Sequence, residues 1–166
     1  MISNTIQDAL NAQIQAELAS AHLYLAMSAY CGTTIYRGAA HWLRLQHGEE
    51  TGHATKMLDY LVDRGGKVSL GALEAPRSDF GSLEQVFTTV LEHERHVSER
   101  IHKLYELAVA ERDVATQVFL QWFVNEQVEE EANASMILER LRAVGDRPGT
   151  IIYLDKELGK RSAGTA

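Results

Sequence analysis

The stretch Leu43-Arg44-Leu45-Gln46-His47-Gly48-Glu49-Glu50-Thr51-Gly52-His53-Ala54-Thr55-Lys56-Met57-Leu58-Asp59-Tyr60-Leu61 decides how this chain reads. At helical spacing Leu43, Gln46, Glu50, His53, Met57 and Leu61 share one face, apolar at both ends and polar in the middle. Within that face Glu50-x-x-His53 puts a carboxylate and an imidazole on adjoining turns, with β-carbons roughly 5–6 Å apart. Both can reach a single ion.

Three other segments repeat the theme. One gives Leu10, Ile14, Glu17, Ala21 and Tyr24, and another gives Phe87, Val90, Leu91, Glu94, Val97, Ile101 and Tyr105. The last gives Leu120, Phe123, Gln127, Glu130, Ala134, Ile137 and Leu141. Each apolar stripe is interrupted near its middle by an acid, and none carries a Lys or Arg. A single acid so placed reads as a boundary residue that reaches water or stays protonated. One acid on each of four stripes, with a histidine beside one of them, reads as a metal site, because an unpaired buried carboxylate costs several kcal/mol.

The four patterns cover about residues 4–31, 38–64, 82–110 and 114–143, with almost no strand signal between them. The first and third breaks, at Cys31-Gly32-Thr33-Thr34 and near Glu111-Arg112-Asp113, are short and should join antiparallel neighbours. From Gly65-Gly66 to Ser82 the chain has glycines, Pro76 and no helical period, and Ser82-x-x-Gln85 reads as a capping box for the next helix. A helix of ~27 residues is ~40 Å long. A crossover of ~17 extended residues reaches ~55 Å, enough to start the third helix parallel to the second. The expected fold is all-α, a four-helix bundle with one long crossover between the second and third helices, plus a short C-terminal fifth helix.

Gly145-Asp146-Arg147-Pro148-Gly149 stops the fourth helix. The expected division is a bundle over 1–145, a short helix of the same domain over 146–159, and a flexible tail over 160–166. The short helix places Ile151, Leu154 and Leu158 on one side and is too short to stand alone in water. Its docking is expected between subunits rather than on its own bundle.

At 166 residues the chain fits one domain. Cys31 is its only cysteine, so neither an intrachain disulfide nor a cysteine-based metal site can form. The start Met1-Ile2-Ser3-Asn4-Thr5-Ile6-Gln7-Asp8 has no basic region followed by an apolar run, and no eighteen apolar residues are consecutive anywhere. A cytoplasmic protein with no membrane partner is expected. A net charge of −7 disfavours nucleic acid and suits cations.

Glu17, Tyr24, Glu50-x-x-His53, Glu94 and Asn125-Glu126-Gln127-Val128-Glu129-Glu130, with the crossover and the terminal helix, resemble the bacterial non-haem ferritins over nearly the whole chain. The resemblance implies a ferroxidase that oxidises Fe(II) with dioxygen or hydrogen peroxide at a di-iron centre. It also implies a homo-oligomeric cage of 24 subunits that stores the ferric product as mineral. Carried over by position, Glu17, Glu50 and His53 resemble the first iron site, and Glu50, Glu94 and Glu130 the second, bridged by Glu50. Tyr24 then lies beside the first site and Gln127 beside the second.

The chain departs from the symmetrical family pattern, in which two helices each supply a Glu and two supply Glu-x-x-His. Its fourth helix offers Gln127-x-x-Glu130 instead. Angularly Glu130 falls between Glu126 and Gln127, so Glu49, Glu126, Glu129 and Glu130 resemble the family's third iron site, while Glu131 points elsewhere, toward the surface. In animal ferritins acids early in the fourth helix line a threefold channel. The matching positions here are Gln117 and Leu120, leaving Glu111 and Asp113 as candidate substitutes. No haem is expected, since Thr51 stands where a haem-ligating Met would follow the Glu. The competing reading is a soluble di-iron oxidase or peroxidase without storage.

Overall fold

The computed structural model describes residues 2–145 and 147–163. Met1 and Asp146, which the expected boundaries include, and residues 164–166 of the expected tail lie outside the described residues. Five helices follow in order: α1 (Asn4–Gly32), α2 (Arg37–Asp63), α3 (Leu83–Ala110), α4 (Val114–Val144) and α5 (Pro148–Leu158). No strand occurs among the described residues. None of the helices is long and apolar enough to cross a membrane.

Local chemistry sets most of the helix ends. Ser3 accepts from the Ile6 amide at the start of α1, and Asp113 accepts from the Thr116 amide at the start of α4. At α3, Ser82 and Gln85 form the expected capping box, each side chain bonding the other's backbone amide. Asp113 also pairs with Arg64 at the end of α2 through two hydrogen bonds of 3.1 and 3.0 Å. It is thereby committed to structure, and Leu120 is fully buried; neither is disposed to line a channel.

The crossover is fixed by a ladder that the sequence did not advertise. Gln7, Asn11 and Gln15, one per turn of α1, bond the backbone of the extended segment after Gly66. The Lys67 amide donates to Gln7, Asn11 bonds the Lys67 carbonyl and the Ser69 amide, and Gln15 bonds the Gly71 amide and the Ala72 carbonyl, all at 2.7–2.9 Å. Four helical residues advance ~6 Å and two extended residues ~6.6 Å, so the two repeats stay nearly in step. The crossover therefore runs parallel to α1 and delivers α3 to the end where α1 finishes. There Tyr30 donates to the Gly81 carbonyl at 2.8 Å.

At the start of α2, Tyr36 makes no side-chain cap. Asp155 of α5 does this work from across the chain, accepting from the Gly38 and Ala39 amides at 3.0 and 2.7 Å. The approach requires glycine: a Cβ on Gly38 would lie 1.6 Å from the Asp155 carbonyl oxygen. Ile151, Leu154 and Leu158 are half-buried against the bundle's apolar core. The expectation that this helix docks between subunits is thus corrected. It packs on its own bundle, held by a buried carboxylate at a helix N-terminus, where negative charge is favoured.

The core divides in two. One apolar cluster includes Tyr24, Met27, Leu43, Phe87, Val90, Leu138 and Leu141. The other includes Ile6, Leu10, Ile14, Met57, Leu61, Ile101, Leu120 and Phe123. The expected stripes are buried throughout, save Tyr105, which is half-buried. Glu17, Glu50, His53, Glu94 and Glu130 occupy the stretch of each stripe between its two apolar ends.

Candidate metal centre

Each of the five expected ligands is at most 5% exposed. α1 supplies Glu17, α2 supplies Glu50 and His53, α3 supplies Glu94, and α4 supplies Glu130. His53 Nδ1 lies 3.7 Å from Glu50 Oε2 and 4.0 Å from Glu17 Oε2. Glu17, Glu50 and His53 bring one ligand atom each within 4.8 Å of one another, the one such trio found among the described residues. The imidazole is wedged edge-on between Trp122 and Phe123, at 5.4 and 5.9 Å between centroids, which fixes its tilt.

Glu94 and Glu130 stand outside that trio and are held by neutral donors. Tyr24 Oη donates to Glu94 Oε1, and Gln127 Nε2 donates to Glu94 Oε2 at 3.1 Å. Gln46 Nε2 donates to Glu130 Oε2 at 2.9 Å. Glu17 has a matching partner, since Gln13 Nε2 donates to its Oε1 at 2.7 Å. Three buried acids are thus each steadied by a glutamine amide.

What the protein leaves unbonded is equally specific. Glu17 Oε2, Glu130 Oε1 and both oxygens of Glu50 are buried without a hydrogen-bond partner among the described residues. A native fold pairs nearly all such atoms, and an ionised carboxylate left unpaired is more costly than a neutral group. These four carboxylate oxygens come from three helices, and His22 Nδ1 is the other buried side-chain atom without a partner among the described residues. Glu50, with both oxygens open, is the acid equipped to serve two ions at once.

The protons respond accordingly. Burial, reinforced by Glu94 and Glu17, raises Glu50 well above the usual carboxylate range. Burial pushes Glu94 up to about 7, with the Tyr24 and Gln127 hydrogen bonds opposing. Glu130 reaches about 8 through burial and the field of Glu94, with Gln46 opposing. Burial and the fields of Glu94 and Glu50 also raise Tyr24 well above 10, so its hydroxyl remains a donor at neutral pH. These acids hold protons that a cation would displace. Four carboxylates and one imidazole form an oxygen-rich donor set, suited to iron or manganese more than to a thiolate-seeking ion.

The acids expected at a third site are placed differently. Glu49 is half-buried and receives a 2.8 Å hydrogen bond from Arg161 Nη2. Glu126 is half-buried and acts on Lys56, whose ammonium sits 3.2 Å from the Trp122 ring centroid. Glu129 is exposed. Glu131 is half-buried rather than free on the surface, accepting from Ser98 Oγ at 2.5 Å.

Gln13, Gln46, Ser98, Arg100 and Arg161 went unrecognised as participants in sequence. The two glutamines carried a signal, being polar residues at buried positions one turn before Glu17 and Glu50. Arg161 carried none. It lies in the segment expected to be a flexible tail, yet its side chain is only 9% exposed.

The family model described as a ferritin-like domain matches residues 7–144. A bacterial non-heme ferritin of Bacteroides fragilis is 45% identical over 97% of this chain and 100% of its own length. One of Staphylococcus aureus is 39% identical, covering 98% of each chain. Among solved structures, an open pore ferritin from the hyperthermophilic archaeon Archaeoglobus fulgidus superposes with a TM-score of 0.96 at 48% identity, over 98% of this chain and 99% of that one.

Proposed function

Because the chain belongs to the ferritin family, we propose that it is an iron-storage ferritin whose subunit oxidises Fe(II) at its buried acids. Fe(II) is the substrate. Glu17, Glu50 and His53 hold one ion, Glu50, Glu94 and Glu130 hold the other, and Glu50 bridges them. The single observation that carries this reading is the set of orphaned oxygens, with both on Glu50.

The chain's own groups then have distinct tasks. As Fe(II) enters, Glu94 and Glu130 give up the protons that burial had let them keep. Gln13 and Gln46 each tie one oxygen of Glu17 and Glu130, which leaves the other to bind iron in a fixed direction. Tyr24 and Gln127 grip Glu94 from two sides. Two Fe(II) ions surrender one electron each, and dioxygen with two protons becomes hydrogen peroxide, or peroxide with two protons becomes two waters. Carboxylate oxygens favour Fe(III) over Fe(II) by charge. The ferric product leaves to hydrolyse inside a cage of 24 copies of this chain, in a reducing cytoplasm compatible with one buried free thiol.

Aerobic loading of the apoprotein with excess Fe(II), followed by size exclusion and iron analysis of the protein peak, tests the storage reading. A large particle carrying far more iron than its ligand sets can bind is the expected result. A small species with a few irons per chain would overturn storage and leave a soluble di-iron oxidase or peroxidase.

A further inference from the structure

We infer that Arg161 is the resident cation of the acidic cluster beside the proposed iron pair, where it neutralises Glu49 and, by holding the Gln46 oxygen, turns the Gln46 nitrogen toward Glu130. The inference rests on the two-ion reading above for its meaning, though not for its geometry. It begins from a guanidinium that is nearly buried although it belongs to the residues beyond the last helix.

Three contacts seat the group. Its carbon lies 4.8 Å from the centroid of the Trp42 ring, a distance at which a cation and an aromatic face attract. Nη2 donates to Glu49 Oε2 at 2.8 Å. Nη1 donates to Gln46 Oε1. The segment's backbone is anchored too, by a 2.9 Å hydrogen bond between His41 Nε2 and the Arg161 carbonyl.

The contact with Gln46 has a directional consequence. Arginine carries donors and no acceptor, so the Gln46 oxygen must face it and the Gln46 nitrogen must face away. That nitrogen donates to Glu130 Oε2 at 2.9 Å. With the amide reversed, a donor would meet a donor at Arg161, which has no acceptor to offer. Arg161 therefore determines that Gln46 meets Glu130 with its nitrogen, and Glu130 keeps Oε1 open. The first helix repeats the device: Arg100 Nε donates to Gln13 Oε1 at 3.1 Å, and Gln13 Nε2 donates to Glu17 Oε1 at 2.7 Å, leaving Glu17 Oε2 open. Only Arg161 also pairs with an acid of the cluster, since no ion pair joins Arg100 to a carboxylate among those seen in the described residues. A positive charge is thus built in where the resemblance placed a third iron.

Equilibrium dialysis of the full-length apoprotein against Zn(II), which does not change oxidation state, tests this assignment. Arg161→Gln should bind one more Zn(II) per chain than the parent, because Glu49 is released to join Glu130 and their neighbours. Arg161→Lys, which keeps the charge, should bind the parent's number, and Arg161→Gln with Glu49→Gln should lose the extra ion. A role confined to anchoring the tail predicts none of these changes. Equal counts for the parent and Arg161→Gln would overturn the proposal, as would an extra ion that persists without Glu49. The parent's own count tests the two-ion reading separately, since only the difference between proteins bears on Arg161.

Discussion

Replacing Glu50 by glutamine slows the initial phase of Fe(II) oxidation by at least ~100-fold, beyond the ~10–100-fold typical of losing a group that merely orients a ligand. Glu50 stands apart from the other acids because both of its oxygens lack partners and because it lies within reach of both His53 and Glu17. Glutamine fills the same volume, so no cavity opens, and it cannot take on the negative charge that burial and Glu94 disfavour at this position. The apoprotein of the variant should accordingly melt no lower than the parent at pH 8. Stopped-flow absorbance of ferric product, read beside a circular dichroism melt, checks both halves. A folded variant with the parent's initial rate would remove Glu50 from the reaction.

The second large effect is on stability. Glu94 and Glu130 have folded-state pKa values of about 7 and about 8, above the usual 4.5, so the folded chain binds more protons than the unfolded one between those limits. Their contribution is fully present below pH ~4.5 and is lost as pH rises through 7 and 8. His93 acts in the opposite sense, because burial, with help from His96, lowers it to about 4 from 6.5. Its contribution is present above pH ~6.5 and is lost as pH falls toward 4, so it offsets the acids only in the lower range. The metal-free protein should therefore lose stability between about pH 5 and 8, with His93 no longer offsetting the acids above 6.5, by several kcal/mol and on the order of 10 °C in melting temperature. Glu130→Gln should remove a large part of that slope, and a divalent cation should remove most of it by taking the protons' place. Thermal melts of both apoproteins at pH 5 and 8 provide the comparison. A slope unchanged by the substitution would show that Glu130 keeps no proton in the folded state.

These expectations were accessible from sequence to the extent that they depend on helical periodicity. Glu17, Glu50, His53, Glu94 and Glu130 could be assigned to the interior because each interrupts an apolar stripe, and a stripe maps directly onto a buried face. The capping box at Ser82 and Gln85 was equally local. The placement of α5 was not, because it depends on Asp155 meeting the amides of Gly38 and Ala39, more than a hundred residues earlier. No periodicity records such a pairing. Arg161 escaped notice for the same reason, and a polar segment with glycines looks frayed until the anchored Arg161 side chain is seen. The Gln7, Asn11 and Gln15 ladder was visible as polar residues at i, i+4 spacing, but that pattern equally describes a solvated helix face. Only the extended chain beside it distinguishes the two.

Anomalous diffraction at the iron edge, from crystals soaked anaerobically with Fe(II), tests the central claim most directly. Two peaks per chain are predicted, one enclosed by Glu17, Glu50 and His53 and the other by Glu50, Glu94 and Glu130, with Glu50 touching both. Strong peaks confined to surface acids, with none against the open oxygens of Glu50, would contradict it.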